Sequence, residues 1–166
     1  MNQQLIEQPR LGPTVRRHNS KQDYETPNEF IQAVESRFGK IKVDLAATEN
    51  DTKANRYITE NQDSLSQHWH DRFGSRLLWL NPPFNNIVPW VDKCLLESQK
   101  GARILLLTQA SVGSNWFADY VFGYANIYFL RPRLSFDGEN PYPKDLILSA
   151  FGPEVVNPRI QCWKWK

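Results

Sequence analysis

The sequence predicts an α/β fold in which a doubly wound, mostly parallel sheet ends in an antiparallel C-terminal hairpin. Three observations lead there. Apolar runs at residues 77–80 and 102–108 and a further strand-like run at 126–130 have the length and character of buried strands. Stripes of apolar residues at helical spacing lie between them, and strand–helix alternation builds sheets with helices packed on their faces. The 166 residues suit one domain with a substantial core, with no internal repeat or low-complexity tract.

In chain order, residues 1–22 are polar, with Pro9, Gly12, Pro13 and the basic cluster Arg16-Arg17-His18. They read as a flexible basic arm preceding a single domain at 23–166. Such an arm can rest on phosphates or simply be solvated. The first helix has Thr26 as its expected N-cap, Pro27 at the first helical position and Glu29 completing a capping box. Phe30, Ile31, Val34 and Phe38 form its apolar stripe, and Gly39 stops it.

Residues 41–45 read as the first strand, ending at Asp44-Leu45-Ala46-Ala47, where small residues let a ligand approach the backbone. Residues 48–75 are polar and poorly patterned, apart from a short strand at 57–59. Asp63 suits a turn or helix cap as well as a ligand contact. Strand 77–80 is followed by a helix from Val88 or Pro89 whose apolar face is Val91, Cys94 and Leu95, ended by Gly101. After strand 102–108 and a small polar loop, Trp116, Phe117, Tyr120 and Val121 form a stripe expected in the core. Strands 126–130 and 145–151 are expected to pair as an edge hairpin, placing Arg131 and Arg133 beside its loop for an ion pair or for phosphates. The tail from Gln161 alternates aromatics and lysines, as an edge strand or a nucleic-acid-facing patch does.

Composition narrows the function classes. Six Trp, six Tyr and nine Phe supply a core and leave rings for stacking, and the net charge of +2 permits nucleic-acid binding without demanding it. Cys94 and Cys162 show no metal-ligand spacing and suggest a reducing compartment. His68 and His70 flank Trp69 without a further Cys/His cluster, so no metal is expected. No long apolar segment or leader pattern occurs, giving an expectation of a soluble, cytoplasmic protein. The phosphate loop, dinucleotide fingerprint, nucleophile elbow and zinc-deaminase signature are all missing.

The stretch that carries chemistry is Leu78-Trp79-Leu80-Asn81-Pro82-Pro83-Phe84. Two prolines stop the strand and hold Asn81 extended. The stiff turn offers an amide oxygen, the Pro82 carbonyl and an aromatic face at the carboxyl end of a strand, where open sheets bind ligands. An exocyclic nucleobase amine is a poor nucleophile because its lone pair is delocalised. Two fixed acceptors, Asn81 Oδ1 and the Pro82 carbonyl, favour its pyramidal form, with Phe84 stacked on the base.

Asn-Pro-Pro-Phe resembles the catalytic motif of amino-methyltransferases that use S-adenosylmethionine. The ordered set Glu25-Thr26-Pro27, Val43-Asp44-Leu45-Ala46-Ala47-Thr48, Asp63-Ser64-Leu65 and Asn81-Pro82-Pro83-Phe84 resembles more closely the small phage DNA N6-adenine methyltransferases, over roughly residues 22–151. The resemblance implies a Rossmann-like class I methyltransferase fold and S-adenosylmethionine bound by Thr26, Pro27, Asp44, Ala46, Ala47, Asp63 and Asn81. It further implies double-stranded DNA as partner, a flipped adenine at Asn81, Pro82, Pro83 and Phe84, and a phage role in masking sites from restriction. Arg16, Arg17, Arg131 and Arg133 are the candidate DNA contacts. Alanines stand where many methyltransferases carry a glycine-rich turn. Methylation of cytosine N4, RNA adenine or protein glutamine, and a non-catalytic nucleic-acid-binding module, remain as alternatives. The oligomeric state is not set by the sequence, and a monomer fits.

Overall fold

The apolar runs of the sequence come together as the interior of one sheet. A computed structural model describes residues 24–166, so the basic arm with Arg16 and Arg17 lies outside the described residues. Seven strands, β1 (Val43–Ala47), β2 (Arg56–Thr59), β3 (Leu77–Leu80), β4 (Arg103–Gln109), β5 (Asn126–Arg131), β6 (Leu146–Phe151) and β7 (Ile160–Lys164), pair in the order β2-β1-β3-β4-β6-β5-β7. β2, β1, β3 and β4 run parallel, β6 is antiparallel to both its neighbours, and β7 is parallel to β5. The architecture is therefore mixed α/β with a mostly parallel sheet.

The period-2 alternation of strands sorts the core into two layers. Leu77 and Trp79 of β3 join Leu105, Leu107, Tyr128 and Leu148 on one face, covered by Phe30, Ile31 and Val34 of α1 (Asn28–Phe38). Leu78 and Leu80 join Ile104, Leu106 and Ile147 on the other. That face is covered by α2 (Trp69–Phe73), α3 (Val88–Gln99) and α4 (Asn115–Tyr120). Each large apolar side chain buried in this way contributes about 1.5–3 kcal/mol. Glu97 of α3 is fully buried, and its carboxylate accepts from the His70 backbone N–H at 2.8 Å. Lys93 at 3.2 Å and Lys100 at 3.1 Å pair with the same group. Burial opposes the charge on Glu97, but these donors outweigh it and hold its pKa below the ordinary value. The buried anion thus sits at the N-terminus of α2 and ties it to α3.

Four expectations are corrected here. The first strand begins two residues later than expected and extends through Ala47, so Asp44 lies within it. Residues 48–75 are not shapeless: they hold β2, short 3₁₀ turns at Glu60–Gln62 and Ser64–Ser66, and α2. The hairpin strand β6 is no edge; it inserts between β4 and β5, which leaves β7 as the edge strand. In the α4 stripe, Phe117 and Val121 are buried, whereas Trp116 and Tyr120 pack only partly against the core. The far edge also reaches α1. Trp163 and Trp165 lie 5.8 and 5.2 Å from Phe30, ring to ring, and Lys166 pairs with Glu29 at 3.0 Å.

Candidate active site

β1, β2 and β3 are parallel, so their carboxyl ends share one edge of the sheet, and a cavity of about 470 Å³ opens there. Thr26, Asp44, Ala46, Ala47, Asp63 and Asn81 all line it. These residues, picked from four separate stretches of sequence, are thus brought together. Pro83 and Trp79 complete the wall beneath Asn81.

Asn81 is held by its amide nitrogen, which donates to the Tyr24 carbonyl oxygen at 2.8 Å and to Thr26 Oγ1 at 3.1 Å. A backbone carbonyl can only accept, so the nitrogen must face Tyr24 and the amide cannot be turned over. That leaves Oδ1 as the amide's outward acceptor. Thr26 is 1 % exposed, and its hydroxyl serves Asn81. The expected N-cap role is overturned: the cap position is Pro27, no side chain caps the helix, and α1 starts at Asn28. Glu29 pairs with Lys166 instead of closing a capping box. The helix tolerates this because Pro27 has no N–H to satisfy and its φ of −58° already suits a helix start.

Pro82 is buried and Pro83 partly so. Phe84 opens a short 3₁₀ turn, Phe84–Asn86. It is not part of the cavity lining. It stands beside it in an aromatic cluster, 6.5 Å from Tyr24 and 6.4 Å from Tyr142. Phe136 joins the cluster, 4.9 Å from Tyr24 and 5.2 Å from Tyr142. Tyr24 belongs to both the cavity and the cluster, and its carbonyl orients Asn81, so the amide sits where the two compartments meet. The Tyr142 hydroxyl accepts from Gln109 Nε2 at 2.8 Å. Burial raises the pKa of this phenol, with the Gln109 bond opposing.

Asp44 is 4 % exposed. Its carboxylate accepts from the backbone N–H groups of Lys53 at 2.9 Å and Ala46 at 3.3 Å. Burial lifts its pKa from 3.8 to about 6, against the pull of these two donors. Asp63 is exposed and adopts φ of 47° between the two 3₁₀ turns, a left-handed conformation that aspartate tolerates. Arg133 pairs with Asp145 at 2.8 Å, and Arg131 is exposed. Neither lines the cavity.

Residues that the sequence did not single out complete the site. Tyr24, Phe136 and Tyr142 form the aromatic wall; the Pro-Tyr-Pro at 141–143 was the only local hint. Lys53 lines the cavity as well, and no local pattern distinguishes it from a surface charge; Glu25, part of the Glu25-Thr26-Pro27 motif but without a role of its own there, lines it too. Among the described residues no group of three or more His, Cys, Asp or Glu side chains can hold a metal, and no helix is long and apolar enough to cross a membrane.

The parallel strands thus present an oriented amide between a cavity and an aromatic cluster. The family model for DNA N-6-adenine-methyltransferase (Dam) matches residues 14–149, and the chain belongs to that family. Two phage proteins, each named DNA N-6-adenine-methyltransferase, are similar to it. The protein of Escherichia phage T1 is 26 % identical over 114 residues, covering 69 % of this chain and 47 % of that protein. The protein of Haemophilus phage HP1 (strain HP1c1) is 28 % identical over 101 residues, covering 60 % and 56 %. The chain thus spans about half the length of the curated relatives it matches.

Proposed function

We propose that the protein transfers a methyl group from S-adenosylmethionine to N6 of an adenine flipped out of double-stranded DNA, on a Rossmann-like class I methyltransferase fold. The orientation of Asn81 carries this reading. With Nδ2 occupied by Tyr24 and Thr26, Oδ1 is preset to accept from an amine before any substrate arrives.

The cavity fits the cofactor. Its wall combines apolar Trp79, Ile58 and Leu65, suited to a purine, with the carboxylates Asp44 and Asp63, suited to a ligand bearing a sulfonium and an ammonium. When bound, the cofactor supplies an electrophilic methyl group. The protein's part lies on the amine side. Asn81 Oδ1 and the Pro82 carbonyl take the two N–H bonds of the exocyclic amine and localise its lone pair. Phe84 and the neighbouring rings stack on the extruded base. Once the nitrogen is alkylated its surplus proton is strongly acidic and leaves to water, so no general base is required. Arg131, Arg133 and the arm with Arg16 and Arg17 are the phosphate contacts of this reading. Phage origin of the relatives supports a role in shielding DNA from restriction.

The test is to incubate the protein with methyl-labelled S-adenosylmethionine and duplex DNA, RNA or a glutamine-bearing protein, then identify the modified group by mass spectrometry. N6-methyladenine in DNA is expected. N4-methylcytosine, methylated RNA or methylated glutamine reassigns the substrate, and cofactor binding without product on any of them returns the site to a binding module.

A further inference from the structure

Among the described residues lining the cavity, Lys53 is the sole cationic side chain, alongside five carboxylates, those of Glu25, Asp44, Asp51, Glu60 and Asp63. A lysine in a polar loop ordinarily extends into water, yet the Lys53 side chain is only 6 % exposed. Burying an ammonium is costly unless it is paired. Asp51 Oδ1 lies 2.6 Å from Nζ and Glu25 Oε1 lies 3.3 Å from it. The backbone of Lys53 is pinned as well, through its N–H to Asp44 Oδ2 at 2.9 Å. An ammonium carries three donors; one goes to Glu25 Oε1, while Asp51 Oδ1 is within ion-pair distance but outside hydrogen-bond geometry. The other two donors have no hydrogen-bond acceptor among the described residues, in a cavity whose other charged lining residues are acidic.

We propose that Lys53 binds the α-carboxylate of S-adenosylmethionine, and that Glu25 and Asp51 beside it receive the α-ammonium. This rests on the cofactor assignment above. Its logic is charge matching. The cofactor bears two cationic groups, which many carboxylates suit, and one anionic group, which needs one cation. Lys53 is the cation that the lining provides, at the wall where the loop after β1 meets the segment before α1. The competing explanation is a latch whose only task is to fasten those two segments.

Calorimetry on the full chain separates the two. S-adenosylmethionine and its decarboxylated analogue share the adenosine and the sulfonium and differ at the carboxylate. Lys53→Gln is expected to weaken S-adenosylmethionine binding about 10- to 100-fold, the range of a charge-assisted hydrogen bond, while changing affinity for the decarboxylated analogue little. The ratio of the two affinities therefore drops, and Lys53→Arg keeps most of it. An equal loss for both ligands, leaving the ratio unchanged, overturns the proposal in favour of the latch. Should Lys53→Gln fail to fold by circular dichroism, the wild type decides with the cofactor's carboxamide, which keeps the shape and loses the anion. Weaker binding is expected there, and equal or tighter binding overturns the assignment. A wild type that binds none of these ligands overturns the cofactor assignment itself, an outcome distinct from losing Lys53 alone.

Discussion

The two walls of the cavity are held by different physics. The wall after β3 is built from covalent stiffness and neutral hydrogen bonds: two prolines, a strand buried between β1 and β4, and an amide clasped by a carbonyl and a hydroxyl. The wall after β1 is built from charge. Asp44 is buried beneath it, and the Glu25–Lys53–Asp51 cluster joins it to the segment before α1. Neutral bonds and proline rings are indifferent to salt and to pH near neutrality, whereas ion pairs and a buried carboxyl respond to both. On the proposed reading, the acceptors for the substrate amine stand on the insensitive wall, and the tunable wall takes the cofactor.

The largest expected effect breaks the stiff wall at its centre. Asn81→Ala removes an oriented acceptor, worth about 3 kcal/mol or more of transition-state stabilisation, while S-adenosylmethionine affinity stays near wild type by calorimetry. Near-normal turnover in this variant would mean that the amide does not act on the amine.

The charged wall is probed next, through Asp44. Its pKa in the folded protein, about 6, lies above the ordinary 3.8 because burial disfavours the carboxylate. Between these values the folded state holds a proton that the unfolded chain has released, so stability declines as pH rises from about 4 to 6. The shift bounds the change at about 3 kcal/mol. Cofactor binding moves the opposite way if the ammonium end pairs with this cluster, strengthening as Asp44 ionises. Asp51 and Lys53 face the same carboxyl, the first raising its pKa and the second lowering it. Asp44→Asn should flatten both profiles, as followed by urea melts and titrations from pH 4 to 8. Unchanged slopes would remove Asp44 from the switchable wall.

A comparable or smaller loss is expected at the aromatic cluster. Phe84→Ala should forfeit about 1–3 kcal/mol of base stacking, and Phe84→Trp should keep part of the activity. A mismatch opposite the target lowers the cost of unpairing, so it should tighten binding by the wild type more than by Phe84→Ala. Equal affinities for paired and mispaired sites in both proteins would argue against flipping and stacking, and would favour glutamine as the substrate.

The smallest change sharpens the contrast. Thr26→Val deletes one of the two acceptors on Asn81 Nδ2 and leaves the Tyr24 carbonyl, so turnover should fall by the equivalent of about 1 kcal/mol, independent of salt. Cofactor affinity should hold. A loss confined to cofactor affinity would assign Thr26 to the ligand instead of the amide.

What could be read from sequence followed from how local the cause is. The turn at Asn81-Pro82-Pro83 was legible because proline sterics act on adjacent residues, and the strands were legible because burial on both faces writes itself as apolar runs. Thr26 was misread as a cap because its partner, Asn81, lies 55 positions away. Lys53 was invisible for the same reason, since one lysine among polar neighbours looks solvated until Glu25 and Asp51 are placed around it. The hairpin was recognised as a pair, but its insertion beside β4 was not, because sequence neighbourhood says which strands pair and not what lies on their other side.

The packing of Trp163, Trp165 and Lys166 on α1 sets an order of events. The helix that follows Thr26 is synthesised long before its partner at the far edge, since Lys166 follows Glu29 by 137 positions. Contacts of such separation form late, after the intervening chain has been gathered in. Until β7 docks, Phe30 lacks the two indoles that cover it and α1 lacks its final seat. Asn81, the two prolines and Phe84 are therefore made well before the scaffold that aligns them is finished, and assembly of the site is tied to arrival of the edge strand β7.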